Sequence, residues 1–344
     1  MKRTAVVILN WNGRAMLEAF LPSVVAGSEG ARVVVADNAS TDDSLAFVRR
    51  EYPNVEIIEL AENYGFAEGY NRALAQVDAE YFVLLNSDVE VSAHWLEPLE
   101  AYLDAHPDVA AVQPKLLAHS EKDRFEYAGA CGGFVDWLGY PFCRGRVMST
   151  LEKDAGQYDT ALDVLWASGA ALMIRRSDWQ SAGGLDGRFF AHCEEIDLCW
   201  RLRSRGRRVV CVPSSKVWHV GGGTLAAGHP RKTFLNFRNN LLMLYKNLPE
   251  RELKRALRLR WWLDRVAALK FLLTDGAAHA KAVMEARREF RKRRAEFQPQ
   301  REENLRLRTV EHIPEVLPAS LLRLYYLKGK KTYAALAPYF PQKS

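Results

Sequence analysis

Over its first hundred residues the chain alternates short β-branched runs with amphipathic stretches, and this alternation constrains the fold more than any other feature. Segments 6–9, 32–36, 55–58 and 81–85 read as strands. Segments 14–25, 42–50 and 66–77 read as helices, the second with Thr41 as its N-cap. A βαβαβαβ order predicts an α/β fold, a mostly parallel sheet with helices on both faces. In such sheets ligands bind beyond the carboxyl ends of the strands. Those ends carry Asn10, Asp37, Asn63 and Asp88, four polar residues that follow apolar runs and point to one crevice.

Beyond residue 100 the text changes twice. From about 116 to 165 it is irregular, with Gly129, Gly132, Gly133, Gly139, Pro141 and Gly145, which predicts loops and short antiparallel strands. A strand at 172–174, a helix at 195–203 and a short strand at 209–212, ending at Pro213, come next. After about 230 the chain is helical and basic, so a boundary there separates an α/β part, 1–230, from a helical part, 231–344.

Composition narrows the class. Apolar residues are 48% of 344, enough to bury a sizeable core. The apolar run 5–9 leads into Asn10, Trp11, Asn12 and Gly13 with no small-residue cleavage site, so it reads as a strand and not as a secretion signal. No uncharged stretch approaches the roughly 20 residues that span a bilayer. The five cysteines form no C-x-x-C pair and their number is odd, which disfavours a zinc site or a disulfide framework and predicts free thiols in a reducing, cytoplasmic setting. The net charge is +6, with the basic excess in the last third.

Five stretches carry candidate chemistry, each with a plainer structural alternative. Asp37 ends a strand, where a carboxylate can accept the N3–H of uracil or thymine or a ribose hydroxyl; it could equally start an Asx-turn. The loop 63–72, with Asn63, Gly65, Gly69 and Asn71, enters a helix whose N-terminus favours phosphate; it could equally be an ordinary turn. Asp88 follows Asn86 and Ser87 just past a buried strand, where an oxygen ligand suits a hard divalent cation; a turn is the alternative. Glu194, Glu195 and Asp197 cluster in the first turn of a helix, which the helix dipole favours; a partly buried member can also serve as a general base. His219 precedes the glycines 221–223, as a metal or phosphate ligand beside a loop that closes over a nucleotide, or as a structural residue.

Together, in this order and spacing, these motifs resemble glycosyltransferase family 2, in its bacterial rhamnosyltransferase-like branch, over about residues 4–245. The resemblance implies a GT-A fold, Rossmann-like, with a basic helical extension, and inverting transfer of a sugar to an acceptor hydroxyl. It implies that Asn10 lies in the nucleotide-contacting turn, that Asp37 binds the base, and that Asn63, Gly65, Gly69 and Asn71 form the donor loop. Asn86-Ser87-Asp88 resembles a degenerate D-x-D motif with one acid, so Asp88, with His219, would hold Mg2+ or Mn2+. Trp166 and Gly169 match the acceptor side. Glu194, Glu195 and Asp197 match an E-D-x-D motif whose second acid is the base, here Glu195, one methylene longer than the usual aspartate, with Glu194 as the alternative. Arg238-Asn239-Asn240 matches a further recurrent segment with no readable role. The implied partners are a UDP- or dTDP-sugar, dTDP-rhamnose among them, and a saccharide or lipid-linked acceptor in cell-surface polysaccharide assembly.

The basic segment 251–294 places Lys and Arg beside Trp261, Trp262, Leu263, Phe271 and Leu272. Such a helix reads as a membrane-surface element, on the inner face of the cell membrane, or as a solvated helix packed on the catalytic part. Three rival functions share parts of this pattern. A nicotinamide-dependent enzyme needs G-x-G-x-x-G after the first strand, and this chain has Asn10-Trp11-Asn12-Gly13 instead. Nucleic acid in the main cleft is disfavoured by Asp37, Asp88 and the acids at 194–197. A non-catalytic sugar-nucleotide or carbohydrate-binding protein stays open on the reduced metal motif.

Overall fold

Ala5, Val6 and Val7 have no accessible surface, the mark of a central strand covered on both faces. The structure, a computed structural model, describes residues 2–221 and 228–341. The chain opens with Thr4–Asn10 (β1), Arg14–Gly27 (α1), Arg32–Asp37 (β2), Ser44–Glu51 (α2), Glu56–Glu59 (β3), Gly65–Leu74 (α3) and Tyr81–Asn86 (β4). These four strands pair in parallel in the order β3-β2-β1-β4, as the alternation predicts. One detail differs. Thr41 does not cap α2, because Asn12 Oδ1 accepts the Thr41 N–H at 2.7 Å and the helix starts three residues later at Ser44.

Val89–Val91 (β5), Glu97–Ala105 (α4) and Val109–Ala118 (β6) follow. The glycine-rich stretch forms a separate small antiparallel sheet from Gly133–Asp136 (β7), Pro141–Cys143 (β8), Arg146–Val147 (β9) and Thr150–Leu151 (β10). After Leu162–Asp163 (β11), Ala171–Arg175 (β12) inserts antiparallel between β4 and β6. Arg176–Ala182 (α5) and Glu194–Ser204 (α6) lead to Arg208–His219 (β13), which runs parallel to β6.

β13 does not end at Pro213. Its register against β6 shifts between Cys211 and Lys216, and within that irregularity a proline's missing N–H costs no ladder bond. The strand then resumes and places His219 opposite Val89 of β5, next to Asp88. Two of the glycines after His219, Gly222 and Gly223, lie outside the described residues.

The basic region comprises Pro230–Asn247 (α7), Glu250–Thr274 (α8), Ala277–Arg293 (α9) and Gln298–Arg306 (α10), then Val316–Leu317 (β14) and Tyr333–Leu336 (α11). Pro230 stands in the first turn of α7, and the His229 imidazole caps it by accepting the Arg231 N–H. Leu241, Leu242, Met243 and Leu244 of α7 share one buried core with Leu172 and Ile174 of the sheet. β14 pairs in parallel with β7, and Asp136 fastens the junction by accepting from the backbone of Leu138, Tyr140 and Leu321. All five cysteines are free and buried; Cys131 and Cys211 sulfurs lie 3.6 Å apart, unbonded. Among the described residues no helix is long and apolar enough to cross a membrane.

Candidate active site

Asn10 and Asp37 are register partners at the carboxyl ends of β1 and β2. The Asn10 amide donates to Asp37 Oδ1 and to Ser40 Oγ, both at 3.1 Å, and the Ser40 N–H reaches Asp37 Oδ2 at 2.9 Å. Asp37 is thus fixed in one orientation, and each of its oxygens can accept a second donor. Asn38, which the motif reading passed over, organises the donor loop. Its amide donates to Asn63 Oδ1 and to the Gly65 carbonyl, both at 3.0 Å, and its oxygen accepts the Tyr64 N–H. Gly65 has φ +74°, and a Cβ there would stand 2.5 Å from the Phe190 ring. A Cβ at Gly69 would meet Leu9 at 2.9 Å, so that glycine serves helix–strand packing. Asn71 is not a free donor-loop group. Its amide donates to the Leu185 carbonyl at 2.8 Å and its oxygen accepts the Leu185 N–H at 3.0 Å, so it ties α3 to the 185 loop.

Asp88 and His219 meet at the end of β4. His219 Nε2 lies 3.1 Å from Asp88 Oδ1 and 3.3 Å from the Asn86 amide. On its far side His219 Nδ1 lies 3.3 Å from Glu126, a carboxylate that no motif marked. Burial opposes charge on the imidazole, but the two flanking carboxylates prevail and raise its pKa to about 10. Burial likewise opposes charge on Asp88, and the His219 contact outweighs it, holding the carboxyl below its ordinary range. Among the described residues no group of three or more His, Cys, Asp or Glu side chains forms a closed metal cage.

The third cluster stands at the start of α6. The turn Gly187–Phe189 leads into Phe190, His192 and Cys193, all with left-handed φ of 67° to 73°. Non-glycine residues hold such angles only when their surroundings impose them. Here the Phe190 carbonyl caps α3 by accepting the N–H groups of Phe66 at 2.8 Å and Ala67 at 3.2 Å. From the other side, Asn239 of α7 donates to the carbonyls of Phe189, Ala191 and His192. The Asn239 clamp was not legible as chemistry in the sequence.

Glu194 and Glu195 each keep one buried carboxylate oxygen with no hydrogen-bond partner. Burial raises the Glu195 pKa to about 7. Burial and then the neighbouring Glu195 charge raise the Glu194 pKa well above its ordinary value. Two buried carboxyls side by side therefore resist ionising together. Asp197, grouped with these acids in the sequence, has different surroundings. It is fully buried, and it accepts from Lys246 at 2.7 Å, Asn247 at 2.8 Å and Arg201 at 3.0 Å, so it locks α6 to α7.

Of the two acceptor-side residues, only Gly169 reaches the carboxylates. A Cβ on Gly169 would lie 3.2 Å from Phe66 and 3.8 Å from the Glu195 Cβ. Trp166 is packed in the core with its indole N–H on the Phe134 carbonyl.

The three clusters lie along one sheet edge. Leu9, just before Asn10, is the register partner of Asn86. The Asn86 N–H donates to the Ala170 carbonyl at 3.0 Å, and Gly169 next to it abuts Glu195. One sheet edge thus gathers Asp37, the Asp88–His219 pair and the buried Glu194–Glu195 pair, the residues that the sequence resemblance assigns to a nucleotide-sugar site.

Comparison with known proteins agrees. The model for "Glycosyl transferase family 2" matches residues 5–158. An N-acetylglucosaminyl-diphospho-decaprenol L-rhamnosyltransferase of Mycobacterium tuberculosis is 30% identical over 233 residues, covering 62% of this chain and 75% of its own. Rhamnosyltransferase WbbL of Escherichia coli is 25% identical over 259 residues, covering 72% of this chain and 93% of its own. Among solved structures, mannosyltransferase PcManGT from Pyrobaculum calidifontis, with GDP-Man and Mn2+, superposes with TM-score 0.52 at 17% identity, over 89% of this chain and 84% of that one. GalNAc-T7 with UDP, GalNAc and Mn2+ gives TM-score 0.56 at 16% identity over 72% of this chain, which spans 48% of its length. The chain belongs to glycosyltransferase family 2 and is a glycosyltransferase.

Proposed function

We propose that the chain transfers a sugar, with inversion, from a UDP- or dTDP-linked donor to the hydroxyl of a saccharide or lipid-linked acceptor. dTDP-rhamnose is the leading donor and the cytoplasmic face of the cell membrane the setting, since both curated relatives reported above are rhamnosyltransferases. One observation carries the reading: Glu195 keeps an unpartnered, buried carboxylate oxygen beside Gly169, on the edge that also holds Asp37 and Asp88.

The residues divide the work. Asp37, held by Asn10 and Ser40, accepts the N3–H of the base, which uracil and thymine share. The Asn38-ordered loop at Asn63 and Gly65 lines the donor side. The chemistry of Asp88 and His219 fits a divalent cation, Mg2+ or Mn2+, which would displace the Nε2 proton of His219 and take a carboxylate oxygen and an imidazole nitrogen, leaving further positions to water and diphosphate. Bound there, such an ion supplies charge neutralisation for the departing diphosphate. Glu126 would orient His219 from behind. Glu195 removes the acceptor hydroxyl proton as that oxygen bonds to the anomeric carbon and the bond to diphosphate breaks. Burial and the neighbouring Glu195 disfavour charge on Glu194, which suits it to donate a hydrogen bond beside the base.

A panel of UDP-, dTDP- and GDP-sugars, assayed for released nucleoside diphosphate with and without Mn2+, tests this. Metal-dependent release from dTDP-rhamnose or a UDP-sugar is the expected result. Binding of donors with no turnover under any condition would support a non-catalytic binder instead.

A further inference from the structure

The outer face of α8 is unassigned by anything in the cleft. Its inner face is Leu253, Ala256, Arg260, Asp264 and Ala268, buried at spacings of three and four against neighbouring helices. The opposite face carries Leu259, Trp262, Val266, Leu269 and Leu273, also at spacings of three and four, all exposed, with Trp262 at 64% and Leu273 at 77%. Fourteen residues separate the ends of this stripe, roughly 20 Å of helix at 1.5 Å per residue. Leu263 and Phe271, which the sequence groups with this surface, turn inward; Leu263 packs on the core and Phe271 on Phe237 and His279.

The charge around the stripe has one sign. Lys254, Arg255, Arg258 and Lys270 are exposed and Arg265 half-exposed. The one acid between 253 and 274 is Asp264, which is fully buried and paired with Arg260 and Arg287. A second element extends the surface. Tyr326 and Leu327 are exposed, Leu327 at 80%, and Lys328, Lys330 and Lys331 follow. Lys331 Nζ lies 6.0 Å from the Tyr325 ring centroid, and Lys270 of α8 is near enough for its charge to act on the same phenol.

We infer that this face of α8, with 326–331, seats on an anionic lipid surface with the helix axis in the interface plane. Apolar side chains enter the acyl boundary while the flanking cations meet anionic headgroups. Trp262 suits the interface itself. A second copy of the chain fits worse, because pairing two such faces brings cations against cations, while the exposed acids of the helix, Glu250 and Glu252, stand in its first turn outside the stripe. The inference deepens the lipid-linked acceptor reading and rests on it for its purpose: α8 packs on α7, whose Asn239 holds the loop before Glu194.

Vesicle co-sedimentation separates the outcomes. The full chain is expected to bind phosphatidylcholine vesicles containing phosphatidylglycerol at least tenfold more tightly than phosphatidylcholine alone, and to lose that preference in high salt. Trp262→Glu with Leu269→Glu should cut the binding tenfold or more, while calorimetric affinity for dTDP or UDP stays unchanged. Arg258→Glu with Lys270→Glu should weaken it likewise with the apolar face intact. Absence of binding to the anionic vesicles, or wild-type binding by both double variants, overturns the inference. So does a solution dimer that Trp262→Glu with Leu269→Glu dissociates, which would give the face to a second copy. Vesicle binding that behaves as expected, without transfer to any lipid-linked acceptor, supports the surface and sinks the acceptor reading.

Discussion

Asn239, on α7, donates its side-chain amide to the carbonyl of His192 at 2.8 Å, two residues before Glu194. The same nitrogen lies within hydrogen-bond reach of the Phe189 and Ala191 carbonyls, and Arg238 Nε orients it by donating to Asn239 Oδ1 at 2.8 Å. The clamp holds a left-handed segment whose Phe190 carbonyl caps α3. One amide therefore ties α7 to both the start of α3 and the acids that open α6. Asn239→Asp places a carboxylate against three carbonyls, and leaving such groups unpaired costs about 1–3 kcal/mol each. A lowered Tm and a transfer rate reduced roughly 100-fold are expected, as misplacement of a catalytic group by about 1 Å does. A variant with wild-type kcat and Tm would remove the clamp from the account.

Asp197 should behave as a fastener. Asp197→Ala leaves Arg201 without its carboxylate and Lys246 with Asp186 alone, and breaking a buried pair typically costs about 3–5 kcal/mol. Denaturant unfolding is expected to show that loss. A fully stable variant with abolished transfer would instead restore Asp197 to the chemistry.

Glu195 sets the pH dependence. Burial raises its pKa to about 7, and a base works only when ionised, so kcat/KM should climb with pH and level off above about 7. The sign for stability is opposite. A carboxyl whose folded pKa is raised favours the folded state at low pH, and that contribution fades as pH rises through about 7. Glu194→Gln should keep the rising limb, because the base whose ionisation the limb reports is Glu195. A limb that vanishes in Glu194→Gln would exchange the two roles.

Glu126 makes a separate prediction. A carboxylate behind a ligating histidine orients it, and its loss commonly costs about 10- to 100-fold in metal affinity. Glu126→Gln should weaken Mn2+ binding by that order in an EPR titration while dTDP or UDP binding without metal persists. Unchanged Mn2+ affinity would leave Glu126 a structural residue.

Much of this was legible in the sequence because the first four strands advertise themselves. β1 to β4 are short β-branched runs, and the acids at their ends fall where parallel sheets bind ligands. β13 was cut short at Pro213 because a proline normally ends a strand, and no local signal announces a register shift that tolerates one. Glu126 and Asn239 lay outside any motif whose role could be read. Each works through a partner more than 45 residues away, a relation that only folding creates. Asp197 was over-read for the converse reason: acids in a first helical turn look alike in sequence, and only the approach of Lys246 separates a fastener from a base.

The most direct measurement is transfer and donor affinity in Glu195→Gln. The account expects transfer to fall by about 1,000-fold, within the range for loss of a general base, with calorimetric donor affinity and Tm near wild type. Transfer close to the wild-type rate in a folded, donor-binding Glu195→Gln protein would contradict it.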